Sequence, residues 1–425
     1  MPRTRMVIIG LDGMPFGLMH KFAQDGTMPN FGELVRHGTF RQMASSLPEI
    51  SSVAWSSIIT GKNPGEHGVF GFTDIAPGTY RLTFPNFRSL QAIPFWERED
   101  AGRSIIINVP MTFPAREMNG VLIAGFVALD LERATWPPSL LPLLHKLDYR
   151  VDVDSQKAHQ SLGLFLQDLA ETLQARIAAY RHLWHHEEWD TFMLVFTGTD
   201  RLAHFLWDAY EDSQHRFHQD FVSHFQQIDQ IIGEIASSLQ PGDRLLMLSD
   251  HGFEKVKQNV FINFALQEHG FLSFEKNSRP SLRTITEDTQ AFALDPGRIY
   301  LHLQNRFPRG GVKNNDKESL LRDLESLFRS LEFKGERVIK RIYRCEEIYY
   351  GDQTYRAPDL VLLSQAGYNL RGNMRPSTLF SQDIFTGKHS QEDAFLLIWG
   401  DAPPTTQKTI TVSDIVPIMD QLRGG

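Results

Sequence analysis

The chain has a single cysteine, Cys345, among 425 residues. That excludes an intrachain disulfide framework and fits a reducing compartment. No run approaches the roughly 20 apolar residues that a membrane helix requires. The first apolar run, MVIIGL, is shorter than the core of a secretory signal and leads straight into Asp12. A surplus of positive charge is missing as well: 43 Lys and Arg face 51 Asp and Glu, a formal net charge of −8. A nucleic-acid duplex is therefore not the expected partner, although a local basic patch would still suit a phosphorylated small-molecule or lipid- or sugar-type substrate. There is no internal repeat and no low-complexity tract. The expectation is a cytoplasmic, soluble globular protein without a membrane span.

What is present is an alternation of strand-like and helix-like segments. MVIIGL, SIIINV, GVLIAGF, TFMLVF, RLLMLS and AFLLIWG read as strands rich in branched and aromatic residues. Between them lie helical patterns over PNFGELVRHG, from about 160 to 185, around DRLAHFLW, and through FVSHFQQIDQIIGEIASSL. This predicts an α/β fold with a central, mostly parallel sheet between helices. The length exceeds one ordinary core, so a smaller inserted unit is expected. Residues 1–254 form the first part of the catalytic core and 376–425 its C-terminal return. Residues 255–375, with the short strands RIYLHL, RVIKRIY and DLVLLS and one helix near 316–331, form a smaller α+β subdomain or lid.

Acidic and histidine residues recur where the apolar runs end. Asp12 follows MVIIGL, Asp200 and His204 follow TFMLVF, and Asp250 and His251 follow RLLML; His389 lies in TGKHS. The carboxyl ends of parallel strands open into one crevice, where ligands bind. Three carboxylates and three imidazoles gathered there need a compensating cation, and two metal ions are the economical answer. Singly, each has a plainer explanation. Asp12-Gly13 is a common turn pair, and Asp200 and His204, four apart, could be an exposed helix face. Asp250-His251-Gly252 is stronger, because two ionisable groups beside a buried run need partners. His67, in NPGEHG, reads as a structural loop histidine.

The order LDG, SSVAWSSIITGKNPGEHGVFGF, TGTDRLAH, SDHGF, GKH resembles the alkaline phosphatase superfamily. Within it, the likeness is to the type I phosphodiesterase/nucleotide pyrophosphatase group and its predicted phosphohydrolase and phosphomutase relatives. The resemblance spans nearly the whole chain and is most specific in ITGKNPGEHG, TGTDRLAHFLW and SDHGF. It implies one metal on Asp200, His204 and His389 and another on Asp12, Asp250 and His251. A hydroxyl from the Ser51/Ser52 pair would be shared nucleophile and ligand. Mixed carboxylate and imidazole donors suit Zn²⁺ first and Mn²⁺ second, better than Mg²⁺ or Ca²⁺.

Counting back from Thr60-Gly61, as relatives are arranged, selects Ser51 as nucleophile, at the start of a helix whose dipole favours a phosphate oxygen. An N-cap role is the plainer reading and is compatible with it. The chain departs from the nucleotide pyrophosphatase pattern three residues on, where Ala54 replaces an expected Asn. Lys62, Asn63 and Asn108 are the substitute candidates for holding a phosphate oxygen. A sulfatase C/S-x-P-S-R motif is absent. The resulting reading is a two-metal phosphohydrolase working through a phosphoserine, with a phosphodiester favoured over a monoester. The alternatives are a phosphomutase at the same site and a non-catalytic metal-binding regulator of the same fold. The diester preference rests on cation poverty: Lys62 is the only cation between Ser51 and Phe72. Arg201 should point off the ligand face, and Arg298 or Arg306 could still enter from the lid.

Overall fold

MVIIGL occupies the middle of the sheet because nothing in it needs water: all six residues of strand β1 (Met6–Leu11) are buried. The computed structural model describes residues 4–400 and 409–424. Eight further strands complete the central sheet. They are β2 (Thr39–Ala44), β3 (Ser104–Ile107), β4 (Gly120–Ile123), β5 (Thr135–Trp136), β6 (Thr191–Phe196), β7 (Arg244–Leu248), β8 (Ala394–Trp399) and β9 (Ile410–Thr411). Their order is β9-β2-β8-β7-β1-β6-β3-β4-β5. β1 is parallel to β6 on one side and to β7 on the other, with Met6 opposite Thr191 and Arg244. β3 is parallel to β6 and β4, whereas β8 runs antiparallel between β7 and β2. The three adjacent strands β7, β1 and β6 thus all point their carboxyl ends the same way. Asp250, Asp12 and Asp200 emerge there.

Parallel strands covered on both faces read as continuous apolar runs rather than alternating ones, and β1, β6 and β3 are buried throughout. Trp55 of helix α1 (Ser51–Thr60) lies against Gly10 of β1, and the strands' side chains pack against helices α2 (Leu162–His186), α3 (Gly198–Glu211) and α4 (His218–Ser238). Each fully buried Leu, Ile or Phe contributes roughly 1.5–3 kcal/mol. One position in β1 is glycine for want of room. A Cβ on Gly10 would lie 2.5 Å from Trp55 Cη2 and 2.9 Å from Val195 Cγ2. Trp55 is fully buried and donates Nε1–H to Asp12. Gly10→Ala is expected to cost about 1–3 kcal/mol by overpacking, read as a lower urea midpoint. An unchanged midpoint would mean that the Trp55 wall yields freely.

The chain divides into two compact units. One comprises Met1–Lys62, Asn86–Glu254 and Ile384–Gly425; the other comprises Asn63–Pro85 and Lys255–Asp383. The second holds a four-stranded antiparallel sheet in the order Ala291–Leu294, Arg298–Leu301, Leu360–Ser364, Ile339–Arg344. Its helix Lys317–Ser330 buries Leu320, Leu321, Leu324, Leu327 and Phe328, a single apolar stripe at helical spacing. Among the described residues, no helix is long and apolar enough to cross a membrane.

Candidate metal-dependent active site

The site is assembled at the carboxyl edge of β7, β1 and β6, within the first unit. Asp12 directly follows β1, and its main-chain carbonyl accepts a hydrogen bond from Thr199 Oγ1 at 2.7 Å. Asp200 sits in the first turn of α3, where the helix dipole favours a carboxylate; His204 is one turn further on. The segment before His389 is stitched to that helix. Thr386 N–H donates to His204 O, and Thr386 Oγ1 accepts from Trp207 N–H, both at 2.8 Å. This inserted hydroxyl lies beside the break at Leu206, whose φ of −136° is not helical. Three residues beyond Thr386, the strand Gly387–Ser390 presents His389.

Distances among the side-chain ends are short. His389 Nε2 is 3.1 Å from Asp200 Oδ1 and 3.0 Å from His204 Nε2, and His204 Nε2 is 3.5 Å from Asp200 Oδ1. His251 Nε2 lies 3.3 Å from Asp250 Oδ2, 3.8 Å from Asp12 Oδ1 and 4.0 Å from Asp200 Oδ1. Two sets of donor atoms fall within 4.8 Å of one another: Asp12, Asp250 and His251, and Asp200, His251 and His389. His251 joins both sets, and its ring stacks on His389 at 3.7 Å. Ser51 Oγ is 3.1 Å from His251 Nε2 and 3.4 Å from Asp12 Oδ1. Ile50 occupies the N-cap of α1, so Ser51 is its first helical residue and caps nothing. Ser52 Oγ is buried and without a hydrogen-bond partner.

The residues fit divalent metal on their own chemistry. Each imidazole turns Nδ1 to a main-chain carbonyl: His251 to Gly252 at 3.0 Å, His204 to Gly387 at 3.1 Å, His389 to Glu49 at 2.9 Å. With Nδ1–H donating, every Nε2 lone pair faces inward, the arrangement of a metal-ligating histidine. Those lone pairs meet carboxylate oxygens and one another. Asp250 Oδ2 is buried and accepts no hydrogen bond. Acceptors this close repel unless a cation or a shared proton lies between them.

The titration behaviour reports the same conflict. Burial, then Asp250 and Asp200, hold Asp12 well above the usual carboxylate range. Burial likewise pushes Asp250 up to about 7, and pushes His204 down to about 4 and His251 well below its ordinary value. Burial would raise Asp200 too, but His204, His389 and Arg201 reverse the sign and keep it strongly acidic. His389 is raised: burial opposes its charge, yet its hydrogen bond to Asp200 prevails.

Residues 6–391 match the type I phosphodiesterase / nucleotide pyrophosphatase family. The chain belongs to that family. It is accordingly a metal-dependent phosphoric ester hydrolase, with the alkaline phosphatase-like sheet the sequence led us to expect. Phosphonoacetate hydrolase from Sinorhizobium meliloti 1021, solved with phosphonoformate and with phosphonoacetate, is 15% identical. Its TM-score is 0.64, covering 97% of this chain and 94% of that one. Murine ectonucleotide pyrophosphatase / phosphodiesterase 5 is 12% identical at TM-score 0.58, covering 99% and 95%. An inactive variant of it is solved with AMP. A search of curated proteins gave no match.

The other residues singled out in the sequence have partners of their own. Asn108 Nδ2 donates to Val195 O and Thr197 Oγ1, so its amide hydrogens serve the strand ends rather than a phosphate. Asn63 caps the Pro64–His67 turn and donates to Ile348 O within the second unit. Lys62 is exposed, and its carbonyl accepts from Ser413. His67 is fully buried, accepts from Val69 N–H, and is pushed down to about 3 by burial, as a structural histidine would be. Arg201 is a correction. It does not turn off the ligand face: its Nη1 donates to Asp200 Oδ2 at 2.8 Å. Two contributors were not foreseen. Trp55, four residues after Ser51, donates to Asp12 Oδ2 at 3.2 Å, and Phe253 packs edge-on against His204 and His389. The i,i+4 spacing from Ser51 could have found Trp55.

Proposed function

We propose that the protein is a two-metal phosphodiesterase whose covalent intermediate forms on Ser51. The observation that carries this reading is the convergence of Ser51 Oγ with the inward Nε2 of His251 and Oδ1 of Asp12 at the N-terminus of α1. On this reading Asp200, His204 and His389 hold one ion and Asp12, Asp250 and His251 the other, Zn²⁺ before Mn²⁺ on donor type. When bound, the ions supply positive charge to the phosphoryl oxygens and to the departing oxygen. The remaining work belongs to the protein. Ser51 loses its proton to solvent and its Oγ bonds to phosphorus as the opposite P–O bond breaks and that oxygen leaves, protonated by solvent, as the alcohol; water then cleaves the phosphoserine, releasing the phosphoryl product and restoring the Ser51 hydroxyl. The N-terminal dipole of α1 would favour the same phosphoryl oxygens.

The substrate class follows from charge. A monoester brings one more anionic oxygen than a diester and is usually met by an additional cation. Here the two cations next to ligand residues in sequence, Arg201 and Lys388, are already committed. Arg201 is held by Asp200 and Asp152. Lys388 precedes His389 on a strand, where side chains alternate in direction, and bonds Glu254 at 2.8 Å. In the second unit, Arg298 is spent on Asp295 O, Tyr300 and Thr73, and Arg306 on Asp359, Arg356 O and Ala357 O. This supports a diester or similarly low-charged phosphoryl or phosphonyl compound; the single cysteine favours the cytoplasm as the place where it is met. Matched aryl mono- and diesters test it through the ratio of kcat/KM. A monoester preference of about 100-fold, equal to about 2.7 kcal/mol of transition-state stabilisation, would overturn the diester assignment and leave the metal site standing.

A further inference from the structure

The ligand roles leave Arg201 unexplained. Its guanidinium lies between two carboxylates: Nη1 donates to Asp200 Oδ2 at 2.8 Å, while Nε and Nη2 donate to Asp152 Oδ2 at 3.0 and 2.9 Å. Its Cζ stands 4.1 Å from the centre of the Phe126 ring, a cation–π contact. Asp152 is itself fixed. Its Oδ1 accepts from Val153 N–H at 3.0 Å and from Thr197 Oγ1 at 3.4 Å, and Thr197 Oγ1 accepts from Asn108 Nδ2 at 3.1 Å. Side chains following β3 and β6, a loop and α3 therefore lock together behind Asp200.

A lone arginine here would oppose a divalent ion, because it puts like charge one carboxylate away from it. Asp152 cancels that charge. The pair supplies hydrogen bonds at no net charge. By occupying Asp200 Oδ2 it also leaves Oδ1, turned to His389 and His204, as the single oxygen offered to an ion. We propose that Asp152 and Arg201 form a neutral strut that sets Asp200 for one-oxygen coordination. Both are positioning residues, and the role rests on the two-ion reading above. The strut also explains how three buried carboxylates can stand together without Asp200 swinging away to find a separate partner.

The test is Mn²⁺ titration of the purified full chain by calorimetry, with electron paramagnetic resonance of the bound ion. In Arg201→Met and in Asp152→Asn the dissociation constant of one Mn²⁺ should rise about 10–100-fold, as loss of an outer partner typically does; the other should change less. At Mn²⁺ concentrations that fill both wild-type sites, the coupled two-ion signal should give way to that of an isolated ion. Arg201→Lys, which can bond one carboxylate at a time, should fall between. The double variant should be no worse than the weaker single one. Arg181→Met, which removes a surface cation paired with Glu234, should leave Mn²⁺ binding unchanged. If Arg201→Met fails to fold, Asp152→Asn decides alone, since it is nearly isosteric and keeps an acceptor for Arg201. Two wild-type ions with unchanged constants in the single variants would overturn the strut and spare the two-ion reading. A wild type that binds no Mn²⁺ and no Zn²⁺ would overturn both.

Discussion

Ser51→Ala is expected to lower kcat by at least about 1,000-fold, because it removes the group that carries the covalent step while leaving the other residues in place. Its Oγ is the hydroxyl 3.1 Å from His251 Nε2, and Ser51 begins α1 rather than capping it. The loss should therefore appear in turnover more than in folding. Ser51→Thr keeps a hydroxyl with one extra methyl in a buried place and should retain part of the rate. Ser52→Ala should be mild, since Ser52 Oγ makes no hydrogen bond that the change would break. Intact-mass measurement after rapid quenching should find a phosphoryl adduct on wild type and none on Ser51→Ala. A dead Ser52→Ala beside an active Ser51→Ala would move the nucleophile by one residue. Full activity in both would mean that water attacks directly.

The ligand candidates were legible because each acidic residue ends an apolar run that the sheet needs for its own burial. Where β1, β6 and β7 stop, the chain must turn, and the next side chains are displayed at the edge. The strands legible least were those whose burial is partial. Thr39–Ala44 reads TFRQMA, mostly half-buried, and carries no alternation strong enough to announce a strand. Arg201 was misplaced for a different reason. Adjacent positions on a helix diverge by about 100°, which argues direction for a short side chain. The longer arginine folds back, drawn by Asp200 and held by Asp152, 49 positions away in sequence. No local pattern marks Asp152 as its partner. The partners of Asn63 and Asn108 were equally illegible, because their amides are claimed by main chain at a turn and at a strand end.

Asp250→Asn should reverse the order of stability between the metal-free and metal-loaded protein. In the metal-free state Asp250 Oδ1 accepts from Gly13 N–H, while Oδ2 faces His251 Nε2 at 3.3 Å, a contact left without a proton once the pH exceeds the folded pKa of about 7. An asparagine placed the same way keeps the first bond and turns the second contact into Nδ2–H donating to the imidazole. It also removes one of three neighbouring buried carboxyl groups. Above about pH 7, chelated Asp250→Asn is therefore expected to melt above chelated wild type. With Zn²⁺ or Mn²⁺ the order should invert, because a ligand at 100 times its dissociation constant adds about 2.7 kcal/mol per ion and the amide is a poorer ligand. The pH dependence carries the same sign. Burial raises the folded pKa of Asp250 to about 7 from 3.8, so the folded chain holds a proton that the unfolded chain has lost. Chelated wild type should then lose stability as pH rises through that window, and Asp250→Asn should lose less. Activity should vanish in chelated wild type, return with metal, and stay low in Asp250→Asn. Substitution at Glu254, a half-buried acid paired with Lys388, should not reproduce the inversion. Calorimetric melting of both proteins, with and without metal, decides it. Above about pH 7, a chelated Asp250→Asn less stable than chelated wild type would mean that the carboxylates are not in conflict, and that the cluster stands without a cation.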